Sequence, residues 1–339
     1  MKYNFVAFIK TVINFFEKTI RVAKIRSTRY ERYMIDNGTV NGETYRTIIL
    51  GDRFEECKDK LLANLDTCSV ELINRVIKRI KMYLKDGVLF YNKTYEEFLN
   101  LIKVDVYKKI NLKYISGNYK IESYILPRDF IDNQIFWNKY FMNEFTNLSA
   151  IRQKDIVDVG AFIGDSSILF EQYTDKKVRA FEPVESNYVD MLKTIELNNS
   201  NKIVPYKFGL GSFEQEVFIN KFESTGVAST LRSDMNNYKS SVKEKISIKT
   251  LDDIVKEENL EIGLIKVDVE GAEQDFLKGA LETIKKQKPA LLIAIYHTGE
   301  DFFEIKPWLE SLNLGYKFKV RKANKNKLID DTVLICEVQ

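Results

Sequence analysis

Glycine and acidic residues at the end of one apolar segment could bind a nucleotide-type cofactor. The stretch 155–170 starts with β-branched residues typical of a buried parallel strand and continues with Gly160 and Gly164. Glycines there would let the backbone turn sharply and approach a ligand closely. We expect Asp165 or one of the two serines after it to cap the following helix, whose free N–H groups would face the site.

An acid after the next apolar segment supports this interpretation. Residues 178–183 read as a strand that ends at Glu182 and Pro183, and Glu182 comes 24 positions after Asp158. An acid at that place is positioned to accept hydrogen bonds from the two ribose hydroxyls of an adenosine. The alternative is an ordinary strand-helix-strand unit with a surface glutamate.

A further group of polar residues could carry out proton transfer. Asp268 and Glu270 are two positions apart on an extended segment before Gly271, so they can converge at the carboxyl edge of a sheet. Crowded carboxylates repel one another, which would raise the pKa of one of them or attract a divalent ion. We expect Asp268 or His297 to be a general base and Glu270 to position an acceptor. The alternatives are a helix cap for the acids and a capping or core histidine for His297.

Composition argues against several functional classes. Lys and Arg total 52 against 49 Asp and Glu, so the net charge of +3 gives no argument for nucleic-acid binding. One histidine and three cysteines without a C-x-x-C pair argue against a polyhistidine or cysteine metal site and against a disulfide framework. We expect no resident metal, and any metal would need oxygen ligands.

The same composition bears on location. No apolar run reaches the roughly 18 residues of a spanning helix, and no signal peptide is evident. We expect a cytoplasmic protein that is soluble or peripherally bound to a membrane. Richness in Lys, Asn and Ile indicates an AT-rich bacterial genome.

Strands and helices alternate from residue 151 onward, which predicts an α/β fold with a doubly wound, mostly parallel sheet. Strands at 316–321 and 332–338, separated by a polar turn, predict an antiparallel hairpin added to that sheet. Segments 217–219 and 244–248 could form a further hairpin.

The first third of the chain has helical patterns instead. Residues 5–25 predict an amphipathic basic helix that could lie on an anionic membrane, on its own domain or on a second subunit. Residues 68–84 predict a packed helix with one apolar stripe. We expect residues 1–118 to be a mainly helical extension for acceptor binding or oligomerisation, and residues 119–339 to be the catalytic domain.

The catalytic part is expected to begin with a strand at 119–127, followed by an aromatic-rich helix through 136–145. The pattern changes at Gly117, which is why the boundary is placed there.

Four motifs of the chain resemble the FkbM-like family of S-adenosylmethionine-dependent methyltransferases. They are Asp158-Val-Gly-Ala-Phe-Ile-Gly164, Phe181-Glu-Pro183, Thr250-Leu-Asp-Asp253 and Leu264-Ile-Lys-Val-Asp-Val-Glu-Gly-Ala-Glu273. The resemblance covers about residues 120–339, and the terminal hairpin is typical of methyltransferase sheets. It implies a Rossmann-like class I fold, S-adenosylmethionine as cofactor and S-adenosylhomocysteine as product.

The resemblance also implies a role for individual positions. The expected contacts are with the methionine and sulfonium part of the cofactor, with its ribose, with its adenine, and with the methyl group or acceptor. Asp158, Gly160, Phe162, Gly164 and Asp165 would contact the methionine and sulfonium part, and Glu182 and Pro183 would contact the ribose. Gly209 and Leu210 would contact the adenine, and Asp268, Glu270 and Glu273 would face the methyl group or acceptor. The chain departs from the family pattern in two places. Phe162 stands where the family usually has Asn. After the fifth predicted strand the family commonly has a Glu near Ala294, whereas the polar residues here are Tyr296 and His297.

The family methylates hydroxyl groups of sugars, glycolipids and polyketide-like products. A sugar or glycoconjugate hydroxyl is therefore the expected acceptor, with an amino group of an amino sugar or glycan-linked amino acid as the alternative. A nicotinamide-dependent oxidoreductase would need Gly-x-Gly-x-x-Gly, which residues 160–165 do not contain. A non-catalytic binding module is the third hypothesis. We expect Asn187, Tyr188 and residues 229–231 to shape the acceptor cleft, and a homodimer is a possible assembly.

Overall fold

The computed structural model describes residues 42–86, 95–128, 133–222, 229–230, 241–323 and 328–338. The basic helix predicted for residues 5–25 lies outside this part of the chain. Among the described helices, none combines the length and the apolar character needed to span a membrane.

Helices dominate the described part of the N-terminal third. They are α1 (Gly42–Leu50), α2 (Phe54–Leu62), α3 (Thr67–Asp86) and α4 (Tyr95–Asn111). The predicted packed helix corresponds to α3, and the middle of its apolar stripe is buried, with Ile73, Val76, Ile77 and Ile80 all at most 5% exposed.

A small antiparallel sheet follows, formed by β1 (Leu112–Ile115), β2 (Asn118–Ile121) and β3 (Tyr124–Leu126). The single strand predicted for 119–127 is therefore wrong, because the chain reverses at Glu122, whose φ is 52°. The boundary expected between residues 118 and 119 falls inside β2, just after the turn that joins it to its partner β1.

The aromatic-rich helix predicted for 136–145 is also wrong. Helix α5 (Asn133–Trp137) ends at Trp137, and a separate 3₁₀ helix spans Lys139–Glu144. Lys139, Tyr140 and Phe141 have φ values of 53°, 48° and 62°, which an α-helix does not allow. Helix α6 (Leu148–Arg152) leads into the main sheet.

From β4 onward strands and helices alternate as the sequence predicts, apart from the successive strands between residues 203 and 249 and two successive helices at 273–287. The strands are β4 (Asp155–Val159), β5 (Val178–Phe181), β6 (Ile203–Tyr206), β7 (Gly209–Leu210), β8 (Gln215–Phe222), β9 (Ser229–Thr230), β10 (Ser241–Lys249), β11 (Ile262–Val267), β12 (Ala290–Ala294), β13 (Tyr316–Lys322) and β14 (Thr332–Val338). The helices are α7 (Asp165–Phe170), α8 (Glu185–Leu197), α9 (Leu251–Glu257), α10 (Glu273–Gly279), α11 (Leu281–Gln287) and α12 (Gly299–Ser311).

Within the described residues, the central sheet has seven strands in the order β13-β14-β12-β11-β4-β5-β6. Neighbours from β12 to β6 are parallel, and β14 pairs antiparallel with both β12 and β13. Every residue of β4 and β11 is buried, as strands covered on both faces require. The α/β class and the terminal hairpin predicted from the sequence are confirmed, and the chain order reverses between β4 and β11, where such sheets place their ligands.

The segments predicted at 217–219 and 244–248 belong to the longer strands β8 and β10, which form an antiparallel hairpin. In the described residues this second sheet has the order β7-β10-β8-β9.

The N-terminal helices share one hydrophobic core with the central sheet. Tyr45, Leu61 and Ile73 are in the same buried cluster as residues of β4, β11 and β12. Ser69 of α3 also exchanges hydrogen bonds with the backbone of Val320, at 2.8 and 3.3 Å. The helices that the structure describes are therefore packed as part of the fold around the sheet.

Candidate functional site

The loop after β4 has a backbone that glycine makes possible. Gly160 and Gly164 have φ values of 76° and 80°, and Phe162 between them has 50°. A Cβ on Gly160 would lie 1.9 Å from the carbonyl oxygen of Asp268. The glycine therefore lets the two predicted halves of the site, the loop after β4 and the segment after β11, touch each other.

Asp158 at the end of β4 is fully buried. Its Oδ2 accepts hydrogen bonds from the hydroxyls of Ser166 and Ser167, both at 2.6 Å. The predicted capping by Asp165 or by one of these serines is therefore wrong, since the N-cap of α7 is Gly164, which has no side chain. Asp165 is buried as well, and its Oδ1 accepts from the backbone N–H of Ser166 at 3.0 Å.

Lys266, next to the last residue of β11, is the cation that balances Asp158, and the sequence patterns did not single it out. Its ammonium lies 3.0 Å from Oδ1 of Asp158 and donates to the carbonyl oxygen of Gly160 at 2.8 Å. Burial disfavours the charge, but the Asp158 and Asp268 carboxylates raise the pKa of Lys266 above its usual value. A lone Lys inside an apolar strand was the available signal, because such charges are rarely buried without a partner.

Glu182 lies at the end of β5, next to this loop. Its carboxylate accepts from the backbone N–H groups of Phe162 and Val184 at 3.0 and 2.9 Å. Burial raises the pKa of Glu182 to about 7, although these N–H donors favour its ionised form. A carboxylate has about four acceptor positions, so two further donors such as ribose hydroxyls can be accommodated.

Other residues predicted near the cofactor gather around Glu182. Asn187 is buried and donates to Oε1 of Glu182 at 3.4 Å, which places it beside the residue predicted to hold the ribose, and its role in an acceptor cleft stays a prediction. A Cβ on Gly209 would lie 2.7 Å from Ile248 and 3.5 Å from Pro183. Packing against β10 thus explains this glycine, and the adenine contact of Gly209 and Leu210 stays a prediction.

Two tyrosine hydroxyls orient the carboxylate of Asp268. Tyr140 donates to Oδ2 at 3.3 Å, and Tyr296 donates to Oδ1 at 3.4 Å. Burial raises the pKa of Asp268 above its usual range, while His297 and Lys266 oppose this effect. Asp268 nevertheless keeps 27% of its side chain accessible, so a ligand can reach it.

His297 is fully buried among three acids. Its Nε2 lies 3.5 Å from Oδ1 of Asp268 and 3.5 Å from Oε2 of Glu270, and its Nδ1 lies 2.9 Å from Oε1 of Glu273. Burial disfavours the imidazolium, but the carboxylates outweigh this effect and raise the pKa of His297 to about 10. An imidazolium cannot accept a proton, so this geometry opposes the general-base role considered for His297 and favours Asp268.

Helix α1 supports the segment that carries His297. The hydroxyl of Tyr45 donates to the carbonyl oxygen of Tyr296 at 3.1 Å. The hydroxyl oxygen of Thr44 accepts from the backbone N–H of Gly299 at 2.7 Å. These contacts link the N-terminal extension to the site, and no local sequence signal indicates them.

The polar loop predicted at 229–231 is described only at Ser229 and Thr230, which form β9 at the edge of the second sheet. Leu231 lies outside the described residues. The acceptor role of this loop and of Tyr188 stays a prediction.

Residues 158–318 match the family model described as the methyltransferase FkbM domain. Over 205 residues the chain is 28% identical to Methyltransferase 1 of Beauveria bassiana (strain ARSEF 2860), covering 55% of this chain and 80% of that protein. Over 182 residues it is 28% identical to Methyltransferase sdnD of Sordaria araneosa, covering 45% of this chain and 70% of that protein. Both organisms are fungi, so the bacterial origin expected from composition stays a prediction.

Among solved structures, the chain is similar to the methyltransferase FkbM from Methylobacillus flagellatus KT. The TM-score is 0.52 at 18% identity, over 84% of this chain and 59% of that one. The chain thus spans less than two thirds of that protein, and the likeness shows the fold alone.

Proposed function

Because residues 158–318 form a methyltransferase domain of the FkbM family, we propose that the protein transfers a methyl group from S-adenosylmethionine to a hydroxyl of a sugar or glycoconjugate precursor. The observation that carries this proposal is the contact of Gly160 with Asp268. The carbonyl oxygen of Asp268 occupies the space that a Cβ on Gly160 would need, at 1.9 Å. The loop suited to the cofactor therefore adjoins an accessible carboxylate at the reversal point of the sheet.

The residues after β4 and β5 fit this cofactor. Glu182 would hold the ribose hydroxyls, and the backbone from Gly160 to Gly164 would accommodate the methionine part. When bound, S-adenosylmethionine supplies a methyl group attached to a positively charged sulfur and leaves as S-adenosylhomocysteine. Arg128 lies 5.8 Å from the ring of Phe162, so this side chain forms a cation–π wall where the family usually has Asn.

Asp268 would act as the general base. The carboxylate of Asp268 would take the proton of the acceptor hydroxyl as the oxygen receives the methyl group from the cofactor, whose sulfur would leave as the neutral thioether. The raised pKa of Asp268 makes it a better proton acceptor than an ordinary aspartate. Tyr140 and Tyr296 would fix the direction of its oxygens, and alignment of this kind supplies much of the rate enhancement in such displacements.

A cavity of about 530 Å³ between α3 and β13 is the proposed acceptor site. Phe141 lines it, and Tyr140, the residue before Phe141 in the chain, donates to Asp268, which is itself not among the lining residues. The side-chain oxygens of Asn100 and Asn138, which also line it, are buried and have no hydrogen-bond partner among the described residues. Such acceptors suit the hydroxyls of a sugar. The ionisable lining residues are Glu71, Arg75, Arg79, Glu144, Arg321 and Lys322.

An amino group is the second candidate acceptor. The carboxylates of Asp268 and Glu270 would attract an ammonium, and Asp268 could then remove its proton before transfer. Release of S-adenosylhomocysteine with matched panels of neutral sugars and amino sugars separates the two acceptors.

Binding calorimetry tests the cofactor. We expect saturable binding of S-adenosylmethionine and S-adenosylhomocysteine, none with NAD, and at least tenfold weaker binding in Glu182→Ala. Glu185→Ala is the matched control, because Glu185 is exposed at the start of α8. Binding of NAD alone would favour the oxidoreductase hypothesis, and binding of none of these would favour a non-catalytic module.

We also propose that the N-terminal segment makes the peripheral membrane or dimer contact expected of a basic amphipathic helix. Deletion of residues 1–28 should lower either the molecular size in solution or the partitioning onto anionic vesicles. If neither changes, both contacts are excluded for that segment.

A further inference from the structure

The group formed by Asp268, Glu270, Glu273 and His297 has features of a cation site. Nε2 of His297 faces two carboxylate oxygens, of Asp268 and Glu270, each at 3.5 Å. Two ligand atoms bound to one divalent ion at about 2.2 Å each, with an angle near 105° between the bonds, would lie about 3.5 Å apart. Asp268, Glu273 and His297 also present ligand atoms that all lie within 4.8 Å of one another.

The imidazole provides an observation independent of the acids. His297 is 0% exposed, and its Nε2 makes no hydrogen bond with any residue that the structure describes. Oε2 of Glu273, also 0% exposed, has no such partner either within that part of the chain. Buried polar atoms in proteins are nearly always satisfied, so a bound ligand would account for the environment of Nε2.

Glu273 has the position of a supporting residue rather than of a ligand. It lies 2.9 Å from Nδ1 of His297, on the opposite side of the ring from Nε2. Its Oε1 also accepts from the backbone N–H of Val269 at 2.9 Å, which fixes the carboxylate. A carboxylate on the second ring nitrogen is the usual partner of a metal-bound histidine, because it orients the ring and raises its basicity.

We propose that Asp268, Glu270 and His297 bind one divalent first-row transition-metal ion, which replaces the Nε2 proton of His297 and releases it to solvent, with Glu273 orienting the ring. The mixed nitrogen and oxygen ligands suit Mn²⁺, Fe²⁺ or Zn²⁺ better than Ca²⁺. This differs from the oxygen-only site that the sequence analysis allowed. The two carboxylates balance the charge of the ion.

The role of the ion rests on the proposed function, whereas its binding does not. Three protein ligands leave coordination positions open, and an acceptor hydroxyl bound there would have a lower pKa. The hydroxyl proton would pass to Oδ2 of Asp268, the oxygen that faces Tyr140. The ion therefore selects hydroxyl acceptors and adds to the positioning that the tyrosines supply.

The site is tested by titrating the full-length protein with Mn²⁺ alone. Electron paramagnetic resonance measures binding as the loss of the free-ion signal. We expect one ion per chain, and at least tenfold weaker binding in Glu270→Gln and in His297→Gln. Glu300→Gln is the control, since Glu300 lies on α12 outside the group. Circular dichroism checks folding, and if His297→Gln misfolds, the partly exposed Glu270 decides.

Two outcomes overturn the proposal: no saturable binding of Mn²⁺, or equal affinity in the wild type and in Glu270→Gln. Calorimetry with S-adenosylmethionine in the presence of EDTA keeps the two hypotheses apart. If the cofactor binds but Mn²⁺ does not, only the metal-site proposal is contradicted. If Mn²⁺ binds but the cofactor does not, only the proposed function is contradicted.

Discussion

The ammonium of Lys266 and the carboxylate of Asp158 are 3.0 Å apart on adjacent central strands, with at most 4% of either side chain exposed. The same ammonium donates to the carbonyl oxygen of Gly160. A single buried cation thus joins β4, β11 and the loop proposed to hold the cofactor. Lys266 is a positioning residue, since it acts through the backbone of that loop.

Lys266→Met should lower the free energy of unfolding by about 3–5 kcal/mol, because it leaves the Asp158 charge buried without its cation. Urea unfolding measures this loss, and Lys286→Met on the exposed face of α11 should change it by less than about 0.5 kcal/mol. Adding Asp158→Asn to Lys266→Met should restore part of the loss. No recovery in the double variant would attribute the cost to packing alone.

Gly160→Ala should prevent stable folding or cost several times more than Gly117→Ala. Both glycines have positive φ, of 76° and 84°, so both substitutions carry a backbone penalty of about 1–2 kcal/mol. A Cβ meets nothing within 4 Å at Gly117, but it would lie 1.9 Å from the Asp268 carbonyl oxygen at Gly160. Comparing the thermal unfolding midpoints of the two variants isolates the effect of the steric clash. Equal midpoints would contradict the close contact between Gly160 and the carbonyl oxygen of Asp268.

Cofactor affinity should rise with pH through the titration of Glu182. Its carboxyl has a pKa of about 7 in the folded protein, so it is mostly protonated at pH 6 and mostly ionised at pH 8. If ribose hydroxyls donate to the ionised form, affinity for S-adenosylmethionine should increase up to about tenfold over that interval. Calorimetry at several pH values checks this, and Glu182→Gln should bind with no such dependence.

The same group should affect stability with the opposite sign. Its pKa is higher in the folded protein than the ordinary 4.5, so folding favours the protonated acid. The contribution of Glu182 to stability is present below about pH 4.5 and is lost as the pH rises toward 7. Glu182→Gln should therefore be more stable relative to the wild type at pH 8 than at pH 4.5.

Asp268→Asn should lower the turnover number by about 10²–10⁴-fold, the usual contribution of a general base, while cofactor affinity changes little. The amide keeps the size and the hydrogen-bond acceptor for Tyr140 but cannot take a proton. Single-turnover kinetics and calorimetry measure the two quantities separately. Full turnover by this variant would exclude Asp268 as the base.

Tyr45→Phe should cost about 1–2 kcal/mol of stability and reduce turnover several-fold, because the carbonyl oxygen of Tyr296 loses its donor. Tyr114→Phe is a matched control, since Tyr114 is 67% exposed. Urea unfolding and initial rates are the measurements. A loss of stability with unchanged rates would mean that α1 supports the fold but not the site.

The sequence predicted the central parallel strands because such buried strands are mostly apolar runs; β4 is interrupted only by Asp155 and Asp158, and the one charge in β11 is Lys266. It also predicted that Glu182, Asp268 and His297 meet at one edge, because parallel strands end on the same side of a sheet. Contacts between segments that are far apart in the sequence could not be predicted from it. Tyr45 and Tyr296 are 251 positions apart, so their hydrogen bond depends on the whole fold.

Local backbone conformation hid a second part of the site. Tyr140 reaches Asp268 from a segment in which three consecutive residues have positive φ. An aromatic pattern alone predicts a helix there, because non-glycine residues seldom adopt this conformation and no glycine marks the turn. The protonation of His297 was equally inaccessible, since it follows from three carboxylates contributed around one buried ring.

Tyr45, Leu61 and Ile73 share one buried core with the central strands, so we expect the described N-terminal helices to unfold together with the sheet. A shortened protein that starts at residue 119 would not be a smaller version of the catalytic domain. It would present to water the apolar face that α1, α2 and α3 cover, and that face would favour aggregation. The domain boundary that the sequence pattern indicates stays a prediction, and the solubility of such a shortened protein would test it.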